Sequence, residues 1–482
     1  MFHKRLLKSI SVFFLLAAGF SYPGSSTILS NTRDAISINY TFDRFRVTRE
    51  NGYDYFSEDS CINLLDEGKP IVPVRVSRIL IPENMSLDRI RVSTSYRKYG
   101  GKYSLDTAQR QLKIGESSAG RLEFSGRFPE EDYQLLTVEK CMGYSIAVIR
   151  LFPLSFDTAG GPVSWASDIR LDVTFRENEP GKISAEDISP RGLEKDMEYV
   201  SGIVDNPLEL SSLALKKNGS KSGPTTYQYV IITNSDLKNA FLPFADYIRT
   251  SRGLTVGVFD ISDITTIGNI YYHAGRDRQE QIRNFIKQAY NSWQTRYVLL
   301  GGYANIIPVR YLDTYDGPVP GDLYYSNLDG DWDYNGNNTF GEFYYDGPGG
   351  GWVDTSAEVF VGRVPAATPQ EVANFTNKLI SYNQTDNWKL KKSAFIGRRL
   401  NMNTPSWGGD GMDGIIRDCM PEDWEVRRFY DRDNTFDVGE IMSYINDGVQ
   451  LITGLVHGNP STSNGLNISN VLSMRNTDYF IN

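Results

Sequence analysis

The feature that most constrains the fold is a change of hydrophobic period across one short, breaker-rich segment. From about residue 27 to 215 apolar residues recur at every second position. Ile169, Leu171, Val173 and Phe175 alternate with Arg170, Asp172, Thr174 and Arg176, and Ile90 and Val92 alternate with Arg89 and Arg91. A period of two puts apolar side chains on one sheet face and charges on the other, the pattern of an antiparallel sheet with one solvated face. Turn signals at Asn51-Gly52 and Gly160-Gly161-Pro162 punctuate the run. The expectation over residues 25–215 is an all-β domain, a β-sandwich. The segment Lys216–Pro224 then carries no apolar residue to bury. It reads as a linker over 216–226, whose lysines lie open to a trypsin-like protease.

Beyond the linker strands and helices alternate. Tyr229–Thr233 is a continuous apolar run suited to a strand covered on both faces, and Phe241, Phe244, Ala245 and Ile248 follow at helical spacing up to Gly253. Thr255–Ile261 reads as a strand. Asp277 and Glu280 cap a helix whose stripe is Ile282, Phe285, Ile286, Ala289, Tyr290 and Trp293. Further strands are expected at Tyr297–Gly301, Glu358–Gly362, Ser393–Gly397, Glu425–Tyr430 and Val449–Thr453. Thr368, Pro369 and Glu371 open one intervening helix, and Asp437 with Glu440 caps another. Such alternation builds a parallel sheet flanked by helices. It is assigned to two α/β subdomains, residues 227–386 and 387–482. Cys419 is expected on the apolar face of a helix, where burial makes a thiol inert.

Composition narrows the function. Fifty basic residues against 59 acidic ones leave a net charge of −9, which argues against a nucleic-acid partner. Three cysteines allow one disulfide at most; Cys61 with Cys141 is the natural pair, and two unrelated buried thiols are the equal alternative. The only histidines are His3, His273 and His457, too few for HExxH zinc chemistry. Residues 1–22 read as a signal peptide: Lys4, Arg5 and Lys8, then the apolar Ile10–Phe20, then small residues at Ala18, Gly19 and Ser21. The apolar run is about half the roughly 20 residues that span a bilayer. A secreted or cell-surface protein without a transmembrane anchor is expected.

Three motifs remain. Asp331, Asp333, Asn335, Gly336 and Glu342, with Asn337 between them, fit the calcium-loop pattern D-x-[DN]-x-[DN]-G-x5-E at every specified position. Oxygens at alternate positions can converge on one calcium ion, with Glu342 closing the site. Asp322–Ser326 before the loop reads extended, so a structural calcium on a surface insertion is expected rather than a paired sensor. Gly409, Gly411 and Gly414 spell GxGxxG, but Arg398–Trp407 separate them from the end of the preceding strand, where a dinucleotide site needs them. His457 stands just past a predicted strand and precedes Gly458, at the edge where open α/β sheets place their sites. The amide of Gly458 is suited to approach a substrate oxyanion.

From Tyr229 to the C-terminus the chain resembles the gingipain family of secreted cysteine endopeptidases, with their caspase-like α/β fold. The residues that carry the resemblance are Tyr229–Thr233, Tyr297–Gly302, Glu358-Val-Phe-Val-Gly-Arg363-Val-Pro and Leu451-Ile-Thr-Gly-Leu-Val-His457-Gly458. Ile79–Pro82 and Asp168–Val173 look like parts of the family's propeptide. The resemblance implies a zymogen acting on protein or peptide substrates, with a propeptide touching the catalytic domain in cis and maturation at the linker. It implies that His457 activates a cysteine thiol and that Gly458 helps bind the oxyanion. In the family that cysteine ends the next strand. Here no cysteine follows His457, and the expectation is a chain truncated before its nucleophile and inactive as it stands. The family's third, acidic member is expected after Ser393–Gly397, where Asp410 is the nearest acid. Asp410 and Asp413 are equally suited to line a pocket for basic substrate residues, or simply to cap a helix. A sortase-like member processing exported cargo, and a non-catalytic calcium-dependent adhesion protein, are the alternative readings.

Overall fold

The computed structural model describes residues 26–474, apart from 51, 65, 109–121, 158–161, 179–187, 208–225, 315–316, 343–344, 348–352, 385–390, 402–405 and 460. The expected signal peptide and most of the expected linker lie outside the described residues. The chain divides into two compact units, one running to Pro369 and the other from Gln370. No helix among the described residues is long and apolar enough to cross a membrane.

The first unit begins with the β-rich region. Its strands are β1 (Ser26–Asn31), β2 (Ala35–Thr41), β3 (Arg46–Glu50), β4 (Tyr53–Ser57), β5 (Ile62–Asn63), β6 (Pro73–Leu80), β7 (Met85–Lys98), β8 (Arg127–Phe128), β9 (Tyr133–Cys141), β10 (Tyr144–Leu151), β11 (Leu154–Asp157) and β12 (Ser164–Glu177). One antiparallel sheet runs β1-β2-β12-β11-β8, with β7 also paired to β12, and a second runs β5-β6-β10-β9. The period of two in β12 is realised: Ile169, Leu171, Val173 and Phe175 are buried while Arg170 and Arg176 are exposed. Those residues join Ile36 and Ile38 of β2 and Val74, Ala147, Ile149 and Leu151 of the second sheet in one core.

Strand β6 departs from the alternation, for every residue in it is buried. Val74 and Ile79 face the shared core, while Val76 and Leu80 join a second cluster with Ile146, Val148 and Val200. Val200 belongs to helix α1 (Glu194–Ser201), which covers the outer face of that sheet. This arrangement corrects the proposed disulfide. Cys61 and Cys141 are free thiols, and they pack into the clusters on opposite faces of the same sheet. Side chains pointing apart cannot be bridged without moving the backbone.

The same unit continues with a parallel sheet ordered β14-β13-β15-β18, made of β13 (Tyr229–Thr233), β14 (Val256–Asp260), β15 (Tyr297–Gly301) and β18 (Phe360–Val364). Helix α2 (Leu242–Arg252) stops at Gly253, whose φ of 66° is the left-handed close the sequence calls for. Helix α3 (Arg278–Trp293) is capped by Asp277, whose side chain accepts the Glu280 N–H at 2.9 Å. Between β15 and β18 lies a hairpin of β16 (Arg310–Leu312) and β17 (Val319–Gly321). It is followed by the single turn α4 (Leu323–Ser326) where an extended segment was expected. Tyr324 and Tyr325 are both buried there; a strand would turn one of two successive side chains outward, whereas a helical turn buries both. The last strand starts at Phe360 rather than Glu358, which leaves Glu358 in a buried segment before it.

The second unit opens with helix α5 (Pro369–Gln384), proline at its first position as expected. Its parallel sheet is ordered β22-β19-β23, from β19 (Lys392–Gly397), β22 (Glu425–Tyr430) and β23 (Leu451–Leu455). A hairpin of β20 (Arg399–Asn401) and β21 (Ser406–Trp407) follows β19 and leads into helix α6 (Gly408–Cys419). Helix α7 (Val438–Asn446) is capped by Asp437, which accepts the Glu440 N–H at 2.8 Å. Cys419 is a correction: it is exposed, not core. Met412, Ile415 and Ile416 of α6 pack on Phe395 and Tyr430, and Met420 takes the last apolar place beyond the helix.

Candidate active site

The candidate site lies at the carboxyl edge of the second unit's sheet. Pairing of β19 with β23 runs from Ser393↔Leu451 to Gly397↔Leu455, so His457 projects two residues beyond the last paired position. On the other side Gly397 pairs with Tyr430, and Asp431 is the first residue past that end. Three strand ends therefore meet at one edge: Asp431 after β22, Arg398 after β19, and His457-Gly458 after β23.

Two glycines allow the helix to start on that edge. A Cβ on Gly408 would sit 1.9 Å from the Leu455 carbonyl oxygen, and one on Gly397 would sit 2.4 Å from the Gly409 nitrogen. The β20–β21 hairpin returns the chain so that Gly408 N–H donates to Arg398 O at 2.7 Å. The segment that separates the GxGxxG glycines from their strand in sequence is thus folded back, and α6 begins in contact with the strand end after all. Linear distance was a poor guide to spatial distance here.

His457 is exposed, and its Nε2 lies 2.7 Å from the backbone oxygen of Leu400 in β20. A carbonyl oxygen only accepts, so Nε2 carries the proton and the lone pair of neutral His457 is on Nδ1. Sequence reasoning sought an acidic side chain for this orienting role. The structure places a main-chain carbonyl against Nε2 instead, which no side-chain motif can announce. Asp431 holds the hairpin that presents it: its Oδ2 accepts the Arg399 N–H at 2.9 Å and lies 3.7 Å from Arg398 Nε, while its buried Oδ1 has no hydrogen-bond partner. Gly458 follows His457 and is exposed.

Asp410 and Asp413 are brought together with each other on α6, but around Arg432. Arg432 pairs with Asp410, with Asp413 at 2.9 Å and with Asp433 at 2.8 Å. Asp413 also accepts from Arg428 Nε at 2.8 Å and from the Tyr430 hydroxyl at 3.3 Å. Burial pushes the Asp410 carboxyl up, and the Arg432 hydrogen bond pulls it back. Both carboxylates are spoken for by arginines of their own unit. Cys419 sits at the far end of the same twelve-residue helix, about 16 Å from its start at a rise of ~1.5 Å per residue.

The acidic loop lies in the first unit. Asp331 accepts the Asp333 N–H at 3.1 Å, Asn335 the Asn337 N–H at 3.0 Å, and Asn337 the Thr339 N–H at 2.7 Å. Gly336 has φ 69°, as the sharp turn of a calcium loop requires. The side chains of Asn335 and Asn337 converge on Glu342 Oε2 at 2.8 and 2.6 Å. Asp333 is turned to a different cation: its Oδ2 lies 2.5 Å from Arg276 Nη1. Three of the five expected residues come together, but through asparagine N–H donors rather than oxygens, and an arginine engages a fourth. Among the described residues no group of three or more His, Cys, Asp or Glu side chains is arranged to hold a metal ion.

An open α/β sheet with a histidine at its carboxyl edge, its base nitrogen defined by a main-chain acceptor, belongs to a class of folds that hosts nucleophilic hydrolases. The family comparison makes this specific. The model described as peptidase family C25 matches residues 222–481, more than half the chain, and the chain belongs to this gingipain-type family of cysteine peptidases. Its β-rich region precedes the matched residues. Among solved structures, gingipain K of Porphyromonas gingivalis, from work on its zymogenic latency, is 17% identical over 33% of this chain and 95% of that one, with a TM-score of 0.28. The complex of RgpB pro- and mature domains from the same organism is 14% identical over 38% and 96%, at 0.30. The Arg-specific cysteine proteinase gingipain R is 17% identical over 54% of each chain, at 0.38. No curated protein matches the chain.

Proposed function

We propose that the protein is an exported, latent cysteine endopeptidase in which the β-rich region serves as the pro-domain and His457 as the general base. The observation that carries this reading is the Nε2 contact of His457 with Leu400 O. With that nitrogen committed as a donor, Nδ1 is left to take a proton from a thiol, and the imidazolium so formed keeps its bond to the carbonyl. Asp431 acts one step removed, holding Arg399 and with it the hairpin that offers the carbonyl. The N–H of Gly458 serves the oxyanion. Export rests on the apolar stretch within residues 1–22.

None of Cys61, Cys141 and Cys419 suits the nucleophile. Burial pushes the thiols of Cys61 and Cys141 well up, away from the reactive thiolate, and Cys419 is a helix length from the edge. A thiol-directed peptidyl acyloxymethyl ketone tests this. In the 482-residue chain no labelling is expected at any of the three. In any chain that brings a further cysteine to Nδ1 of His457, labelling is expected at that cysteine, with a rate that falls at least about a thousandfold in His457→Ala. Labelling of Cys61, Cys141 or Cys419, or a rate indifferent to His457, would sink the reading.

We further propose that the acidic loop takes a structural calcium ion. The support is the residue pattern and the turn at Gly336; for an ion to enter, the Asn335 and Asn337 amides that donate to Glu342 must turn their oxygens inward, and Arg276 competes at Asp333. No catalytic step runs through that ion.

A further inference from the structure

Within the first unit the β-rich region and the first α/β region meet through a group of acids. Glu139 lies on β9, and Asp354 and Glu358 precede β18; they are 2%, 4% and 0% exposed. The contacts cross between the two regions. Lys140 N–H donates to Asp354 Oδ2 at 2.8 Å, the Ser356 hydroxyl hydrogen-bonds Glu139, and Cys141 Sγ lies 4.0 Å from Ala357 O. Asp354 Oδ1 also accepts the Ser356 N–H at 2.8 Å, and Glu358 Oε2 the Leu328 N–H at 2.7 Å. Glu358 Oε1 and, beside it, Asp329 Oδ2 are buried without a hydrogen-bond partner.

Acids and cations are interleaved around this group. Glu139 faces Arg78 of β6 and Asp329; Glu358 faces Arg283 of α3, Asp329 and Asp354; Asp354 faces Asp329 and Glu139. Lys140 and Lys287 bear on Asp329, and the hydroxyls of Tyr199 and Tyr290 feel Glu139 and Glu358. Carboxylates this close and this deeply buried cannot all ionise, and each proton they retain turns an acceptor into a donor. Another contact of the junction is of a different kind. Asp196 of α1 is buried between Arg191, at 2.9 Å, and Arg296, at 3.3 Å, so it is fully paired.

We propose that Glu139, Asp354 and Glu358 form a proton-operated clasp, which closes the β-rich region onto the first α/β region when protonated and loosens as the acids ionise. Burial drives all three carboxyls up, Glu139 to about 7 from an ordinary 4.5. The closed junction therefore binds more protons than the open one. Its closing energy is complete below about 4.5, declines as pH rises toward 7 and levels off above it. That this opening relieves latency rests on the pro-domain reading above.

Hydrogen exchange of the full chain between pH 5 and 8, corrected for the intrinsic pH dependence of exchange, tests the clasp. Amides of residues 136–141 and 353–359 should lose protection, the opening constant rising about seventyfold from Glu139 alone. Amides of β13 and β15 should not change. In Glu139→Gln, with an unchanged melting curve at pH 5 as the check on folding, the rise should largely vanish; Asp354→Asn gives a second variant. Equal protection at both pH values, an undiminished rise in Glu139→Gln and Asp354→Asn, or protection restored at pH 8 by millimolar calcium in a Glu342→Gln chain, where the acidic loop no longer responds, would each overturn the clasp, the last in favour of a cation site at the junction. Peptidase activity is read separately, in a chain that presents a thiol to His457. A junction that opens on schedule while activity stays constant would remove the pro-domain reading and leave the clasp standing.

Discussion

The two parallel sheets are built on the same plan and buried to different degrees. In the first unit β13 and β15 each bury four successive residues after a half-buried tyrosine. Against them pack Phe259, Phe285 and Tyr290 in one continuous core. In the second unit the central β19 is as deeply buried, but β23 has no fully buried residue and Leu451 is exposed. The histidine is carried by the less buried strand. Apolar burial makes a scaffold, whereas a site that must admit a peptide needs an edge that stays open, and local stability is correspondingly lower there.

Three changes would break or sharpen that contrast. The largest effect belongs to Phe285→Ala, which empties the ring cluster around Phe259, Tyr271 and Trp293. A loss of about 3–5 kcal/mol is expected in urea unfolding of the first unit. A loss under 1 kcal/mol would show that its core is no tighter than that of the second. Next is Gly408→Ala, which drives a methyl group into the Leu455 carbonyl. About 3 kcal/mol is expected, at the top of the range for overpacking, confined to β19, β23 and α6. Hydrogen exchange should show β13 and β15 untouched; a uniform loss would mean that the two units unfold as one. The smallest effect concerns the acidic loop. Millimolar calcium should stabilise the first unit by about 1 kcal/mol, as expected for extracellular-type affinities, and Glu342→Gln should remove the gain. A melting temperature indifferent to calcium in the wild-type chain would end the calcium assignment.

Much of the architecture was legible in the residues. Tyr229–Thr233, Tyr297–Gly301 and Glu425–Tyr430 are strands with the ends that the apolar runs implied. Asp277, Pro369 and Asp437 start helices because N-caps and N1 prolines act within a single turn. The misreadings share a cause. Cys61 and Cys141 looked like a pair because only their positions in the chain were visible, and the sheet that separates them is assembled from distant strands. Asp322–Ser326 looked extended because the partners of the two tyrosines, Arg283 and Arg310 over Tyr324 and the Pro308 carbonyl that accepts from the Tyr325 hydroxyl, come from elsewhere.

By itself the sequence determined the change from period two to alternating strand and helix and the placing of His457 just past a strand. These are local properties, set by the spacing of apolar residues and the chemistry of caps. Only the tertiary structure decided that a hairpin folds Gly408 back onto Gly397, that the Leu400 carbonyl orients the imidazole, and that Glu139 meets Asp354 and Glu358 in the interior. Main-chain acceptors look the same at every residue, and an acid's charge state depends on neighbours brought from far along the chain. Neither can be read until the chain has folded.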